Sequence, residues 1–301
     1  MKLKTLLVLA VIAGWPSIAG NAARAETDHT DIPLHFDGDG RPAAEVLING
    51  EGPLIFAIDT AATASSVSKP ILDKLGVKPD PHRRAMVHGA GGVTETPLYR
   101  IESIRIGGVV REGLYLITSP AEHDDTAHDG LIGADVFRNT NMEFDFSGKR
   151  FSLDAETPFF EENDYDLASA EIKFGSLAVV NIRINGVETA ALIDTGAQET
   201  IANKALLTAL RRSVEDAGMM QKEETMGATA HAVEVFEGFK GNVQLGKAVI
   251  ENAPIKIADL HVFEQLAINS GPALILGMDV MSKLGGLVID YPAETVKFRA
   301  K

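Results

Sequence analysis

Internal duplication is what most constrains the fold of this chain. Residues 45–60 read EVLINGEGPLIFAIDT, and residues 180–195 read VNIRINGVETAALIDT. Each stretch is an apolar strand, an Ile-Asn-Gly turn, and a second apolar strand that closes on Ile-Asp-Thr. Further on, DGLIGADVF at 129–137 is answered by ALILGMDVM at 273–281, and MEFDFSGKRFSL at 142–153 by LVIDYPAETVKF at 287–298. The landmarks recur in one order and at a nearly constant offset. One shared apolar strand would carry little weight, but ordered recurrence means that a single structural unit is present twice.

Each unit reads as mainly β. Asn49-Gly50 and Asn185-Gly186 carry the pair that favours a type I′ turn between two strands. The runs Leu54–Ile58 and Ala190–Ile193 are too continuously apolar for a surface strand, which predicts burial on both faces. Helical pattern is confined to short pieces: Ser68–Leu75 stopping at Gly76, Asn203–Ala217 stopping at Gly218, and brief turns after Gly133 and Gly277. The expected division is a flexible leader at 26–42, a first lobe at 43–154, a linker at 155–177 and a second lobe at 178–301. The linker mixes Pro with Glu161, Glu162, Asp164 and Asp166, which reads as solvated chain, with Phe159 and Phe160 anchoring it to a lobe.

The N-terminus has the pattern of an export signal over residues 1–25. Lys2 and Lys4 precede the apolar run Thr5 to Ala13, Gly14-Trp15-Pro16 break it, and Ala23-Arg24-Ala25 supplies small residues at the spacing of a cleavage site. The run is shorter than the roughly 20 residues needed to cross a bilayer. These features predict an exported protein, periplasmic or secreted, with no stable membrane anchor.

Composition removes several kinds of chemistry. With 42 Asp+Glu against 28 Lys+Arg the net charge is -14, and the predicted signal carries three cations and no acid, so its loss leaves the chain more acidic still. Such a chain repels a phosphate backbone, and nucleic acid is not expected as a partner. There is no cysteine, hence no thiol nucleophile and no thiolate metal site. His123 and His128 flank Asp124 and Asp125, but no HExxH pattern occurs and the stretch reads as a solvated loop, so no metal is expected. No Gly-x-Ser-x-Gly elbow is present, and the glycines of HGAGGV miss the dinucleotide spacing.

What remains is the repeated aspartate. Asp59 and Asp194 each end a buried strand and enter a turn of small residues, Thr60-Ala61-Ala62 and Thr195-Gly196-Ala197. One such aspartate could simply cap a turn. Two at equivalent positions can meet across a pseudo-two-fold axis, where both cannot ionise cheaply and one proton is shared. One group is then a base and the other an acid, able to activate a water and protonate a leaving amide without metal or thiol.

IDTGA at 193–197 and IDTAA at 58–62, with the downstream elements Leu131-Ile132-Gly133 and Ile275-Leu276-Gly277, resemble the retropepsin-like aspartic proteases in a tandem, single-chain form. The resemblance spans both halves. It implies two closed β lobes with a cleft between them, Asp59 and Asp194 as catalytic dyad, and Thr60 and Thr195 bonding the two turns together. It also implies flap hairpins at His88-Gly89 with Gly91 and at Gly227-Ala228, a peptide or protein substrate, and no cofactor. The chain would act as a monomer, since both half-sites are already fused. One position departs from the family: Ala61 stands where the family has glycine, whereas Gly196 keeps it. Ala61 therefore leaves open an alternative, a catalytically silent bilobal protein that binds peptides in its cleft.

Overall fold

The computed structural model describes residues 31–89, 92–118, 128–154, 158–211 and 233–301, together with the backbone of residues 4–5, 11–12, 222–226 and 232. The duplication seen in sequence reappears as sheet order. Starting from its long hairpin, the first lobe runs Pro79–Gly89, Gly92–Arg100, Tyr115–Thr118, Ser66–Val67, Gly130–Ile132, Glu51–Ile58, Pro42–Ile48. The second runs Lys222–Met226, Ala232–Leu245, Ala248–Ile257, Ile201–Ala202, Ala273–Leu276, Val187–Ile193, Leu177–Ile184, strand for strand in the same order. In the second lobe the far end of Ala232–Leu245 returns to pair with Leu177–Ile184, curling the sheet onto itself.

The Asn-Gly hairpins form as the sequence predicts. Ile48 pairs with Glu51 and Ile184 with Val187, leaving two-residue loops whose Asn and Gly all have positive φ. That is the backbone of a type I′ turn, and Asn with Gly tolerates it best. Short helices also fall where expected: α1 (Lys69–Lys74), α2 (Ala134–Phe137), α3 (Lys204–Ala209) and α5 (Met278–Met281), joined by α4 (His261–Gln265). Helix α3 stops well short of the expected Ala217, and residues 212–220 lie outside the described part.

The two halves are sewn together by the last landmark. Asn141–Asp145 of the first half lies antiparallel to Gly286–Asp290 of the second, Asn141 opposite Asp290 and Asp145 opposite Gly286. Each strand continues into its own hairpin partner, Arg150–Leu153 or Thr295–Arg299. Phe144 stacks on Phe151 at 5.4 Å between ring centroids, and these rings share one buried cluster with Leu287, Ile289 and Phe298. Burying aromatic and aliphatic area across the seam is what fixes one lobe against the other.

Two stretches are more ordered than the sequence suggests. Within the expected leader, Ile32 and Leu34 alternate into the core, Ile32–Pro33 adds a strand to Arg150–Leu153, and His35–Phe36 pairs with Pro42–Ala43. Within the expected linker, Asp166–Lys173 is a strand bridging Thr295–Arg299 and Leu177–Ile184. Its approach is pinned by Glu143, whose carboxylate accepts from the Phe159 N–H at 2.8 Å and from the Tyr165 hydroxyl at 2.6 Å. Arg150 and Arg299 lie over the rings of Phe159 and Phe160, at 4.2 and 4.0 Å from the ring centroids. Alternating apolar residues in a polar setting were the missed signal, because a short strand that only completes another sheet needs very few of them. At the N-terminus, the backbone of Lys4–Thr5 pairs with Thr225–Met226, and that of Val11–Ile12 with Val87–His88, at the outer edges of the two long hairpins.

Candidate active site

Asp59 and Asp194 leave the ends of the two motif strands at the same point of the two lobes. Glu51–Ile58 is held between Pro42–Ile48, antiparallel, and Gly130–Ile132, parallel, and Val187–Ile193 is held likewise by Leu177–Ile184 and Ala273–Leu276. The ladder carries into the turns: the Asp59 N–H donates to the Ile132 carbonyl at 3.0 Å, and the Asp194 N–H to the Leu276 carbonyl at 3.2 Å. Both carboxyls are thereby delivered, almost without exposure, to the interface between lobes: Asp59 is 1% and Asp194 0% exposed.

Reciprocal bonds tie the two turns together. The Thr60 N–H donates to Thr195 Oγ1 and the Thr195 N–H to Thr60 Oγ1, each at 3.1 Å. Each hydroxyl passes its own proton across the interface, Thr60 Oγ1 to the Ile193 carbonyl at 2.8 Å and Thr195 Oγ1 to the Ile58 carbonyl at 2.6 Å. Four buried polar groups are satisfied by one pair of side chains, and the result is nearly two-fold symmetric. Such a fully paired network is rigid, because any displacement strands a buried donor or acceptor.

The carboxyls are bound in parallel ways. Asp59 Oδ1 accepts from the Ala61 N–H at 2.8 Å, and Asp194 Oδ1 accepts from the Gly196 and Ala197 N–H groups, each at 2.9 Å. Burial raises the pKa of Asp59 to about 7, against the lowering pull of the Ala61 and Ala62 amides, the Arg41 charge and the Asp194 carboxyl. Asp194 is raised well above the ordinary range, first by burial and then by the Asp59 charge, in spite of the Ala197 and Gly196 amides. Among the described residues, Asp194 Oδ2 is buried without a hydrogen-bond partner. Two adjacent buried acids cannot both ionise cheaply, which favours a single charge on the pair.

Glycine at 196 is a matter of space rather than of backbone conformation. A methyl added there would lie 2.3 Å from Asp59 Oδ2. Neither Gly196 nor Ala61 has a left-handed φ. Ala61 is fully buried, and its methyl belongs to an apolar cluster with Leu177, Leu192 and Ala197 of the second lobe. The second lobe thus absorbs the methyl at the departing position.

Each Gly-element clamps its turn. Gly133 and Gly277 pass so close to the chain that a Cβ would meet the Ala64 carbonyl carbon at 2.8 Å and that of Glu199 at 2.6 Å. Their neighbours reach back: the Ala134 N–H donates to the Ala62 carbonyl and the Met278 N–H to the Ala197 carbonyl, both at 2.8 Å. Leu131, Ile132, Ile275 and Leu276 are buried beneath. A second relay went unread in sequence. The Gly133 N–H donates to Ser65 Oγ, which donates to Asp135 at 2.7 Å, and the Gly277 N–H donates to Thr200 Oγ1, which donates to Asp279 at 2.6 Å. Ser65 with Thr200, and Asp135 with Asp279, are matched hydroxyls and acids in the repeat itself. Comparing the two copies residue by residue would have found them.

The first long hairpin carries His88 and Gly89, with His88 opposite Val93 and Gly89 opposite Gly92. It reaches the other lobe, where the His88 ring stacks on His261 of α4 with centroids 6.3 Å apart. Gly91, Gly227 and Ala228 lie outside the described residues. Beside this hairpin, a cavity of about 770 Å³ is lined by Gly92, Val233, Glu234, Leu260, His261 and Phe263 among others; neither aspartate lines it. His128 packs near Asp37, at 3.8 Å, and the rest of the His-Asp stretch lies outside the described residues. Sequence reasoning also missed Arg41, a buried guanidinium held by Asp37 at 2.7 Å and acting on Asp59.

Comparison with protein families finds two matches. Residues 44–136 match the family described as aspartyl protease, and residues 180–283 match the gag-polyprotein aspartyl protease family. Each match contains one of the Asp-Thr turns and its Gly-element. No curated protein matches the chain.

Proposed function

We propose that this chain, which belongs to the retropepsin-like aspartic proteases as a tandem of two family domains, is an aspartic endopeptidase that hydrolyses peptide bonds between Asp59 and Asp194. The observation that carries the reading is the pair of buried carboxyls held by mirrored threonine bonds, with both pKa values raised. A protease-like function follows from the two family domains; turnover is the step beyond.

The chemistry balances with water as the sole co-reactant. The ionised aspartate takes a proton from a water held between the carboxyls, and the oxygen attacks the scissile carbonyl carbon. The protonated aspartate gives its proton to the carbonyl oxygen, forming a neutral tetrahedral diol. In the collapse of the diol, one hydroxyl gives its proton to the aspartate that is now ionised, the C–N bond breaks, and the aspartate that is now protonated gives its proton to the departing nitrogen, so the pair ends with one proton as it began. Positioning supports this route: amide N–H groups fix one oxygen of each acid, and the threonine bonds fix the two turns to each other, which preorganises the pair. The long hairpins are suited to covering an extended peptide.

We further propose that the protein is exported and works as a monomer on peptide or protein substrates, without cofactor or metal. The N-terminal signal pattern supports the first, and the presence of both half-sites in one chain the second. The test is cleavage of an unstructured protein between about pH 3 and 8 by the wild type and by Asp59→Asn and Asp194→Asn. The reading requires cleavage by the wild type and none by either variant. Inhibitor binding without turnover in the wild type would favour the silent, peptide-binding alternative that Ala61 raised.

A further inference from the structure

The two lobes are not equivalent around their aspartates. In the first lobe Ala43 pairs with Ala57 and Ala44 with Phe56, so two residues beyond the ladder Arg41 comes abreast of Asp59. In the second, Val179 pairs with Leu192 and Val180 with Ala191, and the same extension brings Leu177 abreast of Asp194. Residues opposed on antiparallel strands project to the same side. The repeated position is therefore an arginine in the first lobe, whose charge acts on Asp59, and a leucine in the second. Both are sealed from solvent, Arg41 at 1% and Leu177 at 0% exposed.

Arg41 is built in rather than incidental. Asp37 Oδ1 accepts from the N–H groups of Asp39 and Arg41, closing a tight turn, while Asp37 Oδ2 accepts from Arg41 Nε at 2.7 Å. A fully buried cation costs folding energy unless it is paired, and even a paired one is often no more stable than an apolar replacement. On the other side, Leu177 and Ala61 share one apolar cluster, so the single departure from the family motif falls on the uncharged side of the same asymmetry.

Resting on the reading of Asp59 and Asp194 as the reacting pair, we infer that Arg41 fixes their division of labour: it holds Asp59 as the carboxylate base, and the apolar Leu177 leaves Asp194 as the protonated acid. Arg41 is a positioning residue that acts through Asp59 and does not touch the substrate. Among the described residues, Asp59 interacts with Asp194, Arg41 and the buried hydroxyl of Tyr291, whose pKa is raised by burial and by the Asp59 charge. Around Arg41 stand Asp37, Asp39 and, beyond Asp37, His128. Burial raises both acids, and the Arg41 charge acts against that rise at Asp59.

The test compares the acidic limb of kcat/KM, which reports ionisation of the base, in wild type, Arg41→Gln, Arg41→Lys and the double variant Asp37→Asn/Arg41→Gln. The double variant removes both members of the buried ion pair and guards against misfolding of the single one. Loss of the cation should move the limb up by about 1 pH unit, with Arg41→Lys restoring it; a folded double variant whose limb stays in place overturns the inference. A carboxyl-carbon NMR titration of the wild-type chain decides independently of activity: Asp59 must lose its proton before Asp194, and the reverse order overturns the inference. Cleavage that survives Asp59→Asn or Asp194→Asn defeats the dyad itself, whatever Arg41 does, so the two failures are distinct.

Discussion

At the scale of single residues, the site is defined by what can stand next to a buried carboxyl. Gly196→Ala would drive a methyl to 2.3 Å from Asp59 Oδ2. Since catalytic geometry tolerates little displacement, kcat should fall by about 100-fold or more in a steady-state assay. The reverse change at the matching position should be mild. Ala61→Gly removes one buried methyl and adds backbone freedom, so denaturant unfolding should show a loss of about 1–2 kcal/mol with cleavage retained. The sequence flagged Ala61 as a departure, but its meaning could not be read there. Whether a methyl fits depends on cluster neighbours from the other lobe, such as Leu177 and Leu192.

The elements explain why the repeat was so legible. An Asn-Gly pair dictates its own turn, and a run such as Leu54–Ile58 dictates burial, so hairpins and sheet order follow from local rules applied twice. Pieces that serve another element were harder to see. Ile32–Pro33 and Asp166–Lys173 each pair with a strand more than a hundred residues away, Arg150–Leu153 and Thr295–Arg299. Ser65 and Thr200 were visible in principle as paired hydroxyls, but their role needs the approach of Gly133 and Gly277. The threonine bonds offer the clearest test at this scale. Thr60→Val or Thr195→Val strands a buried N–H and a buried carbonyl, and equilibrium unfolding should show about 2–4 kcal/mol of lost stability, with Thr→Ser close to wild type.

For the whole molecule, the same buried acids predict an unusual dependence of stability on pH. Asp59 at about 7, Asp194, Asp135 and Asp279 are all raised in the folded state, chiefly by burial. The folded chain therefore binds more protons than the unfolded one, whose carboxyls titrate near 4. That contribution is fully present below about pH 4 and is lost as pH rises through the folded values, for Asp59 near 7. Thermal unfolding should show a higher Tm near pH 5 than near pH 8. Asp59→Asn and Asp194→Asn should flatten the slope and stabilise the protein at pH 8, at the expense of function.

On the proposed reading, one chain holds a complete two-aspartate site. Cleavage of an unstructured protein substrate, followed against enzyme concentration, tests it most directly with wild type, Asp59→Asn, Asp194→Asn and an equimolar mixture of the two variants. The wild-type rate should be strictly proportional to enzyme concentration, with no cleavage in the other three samples. Cleavage by either variant alone, or its recovery on mixing, would contradict that reading.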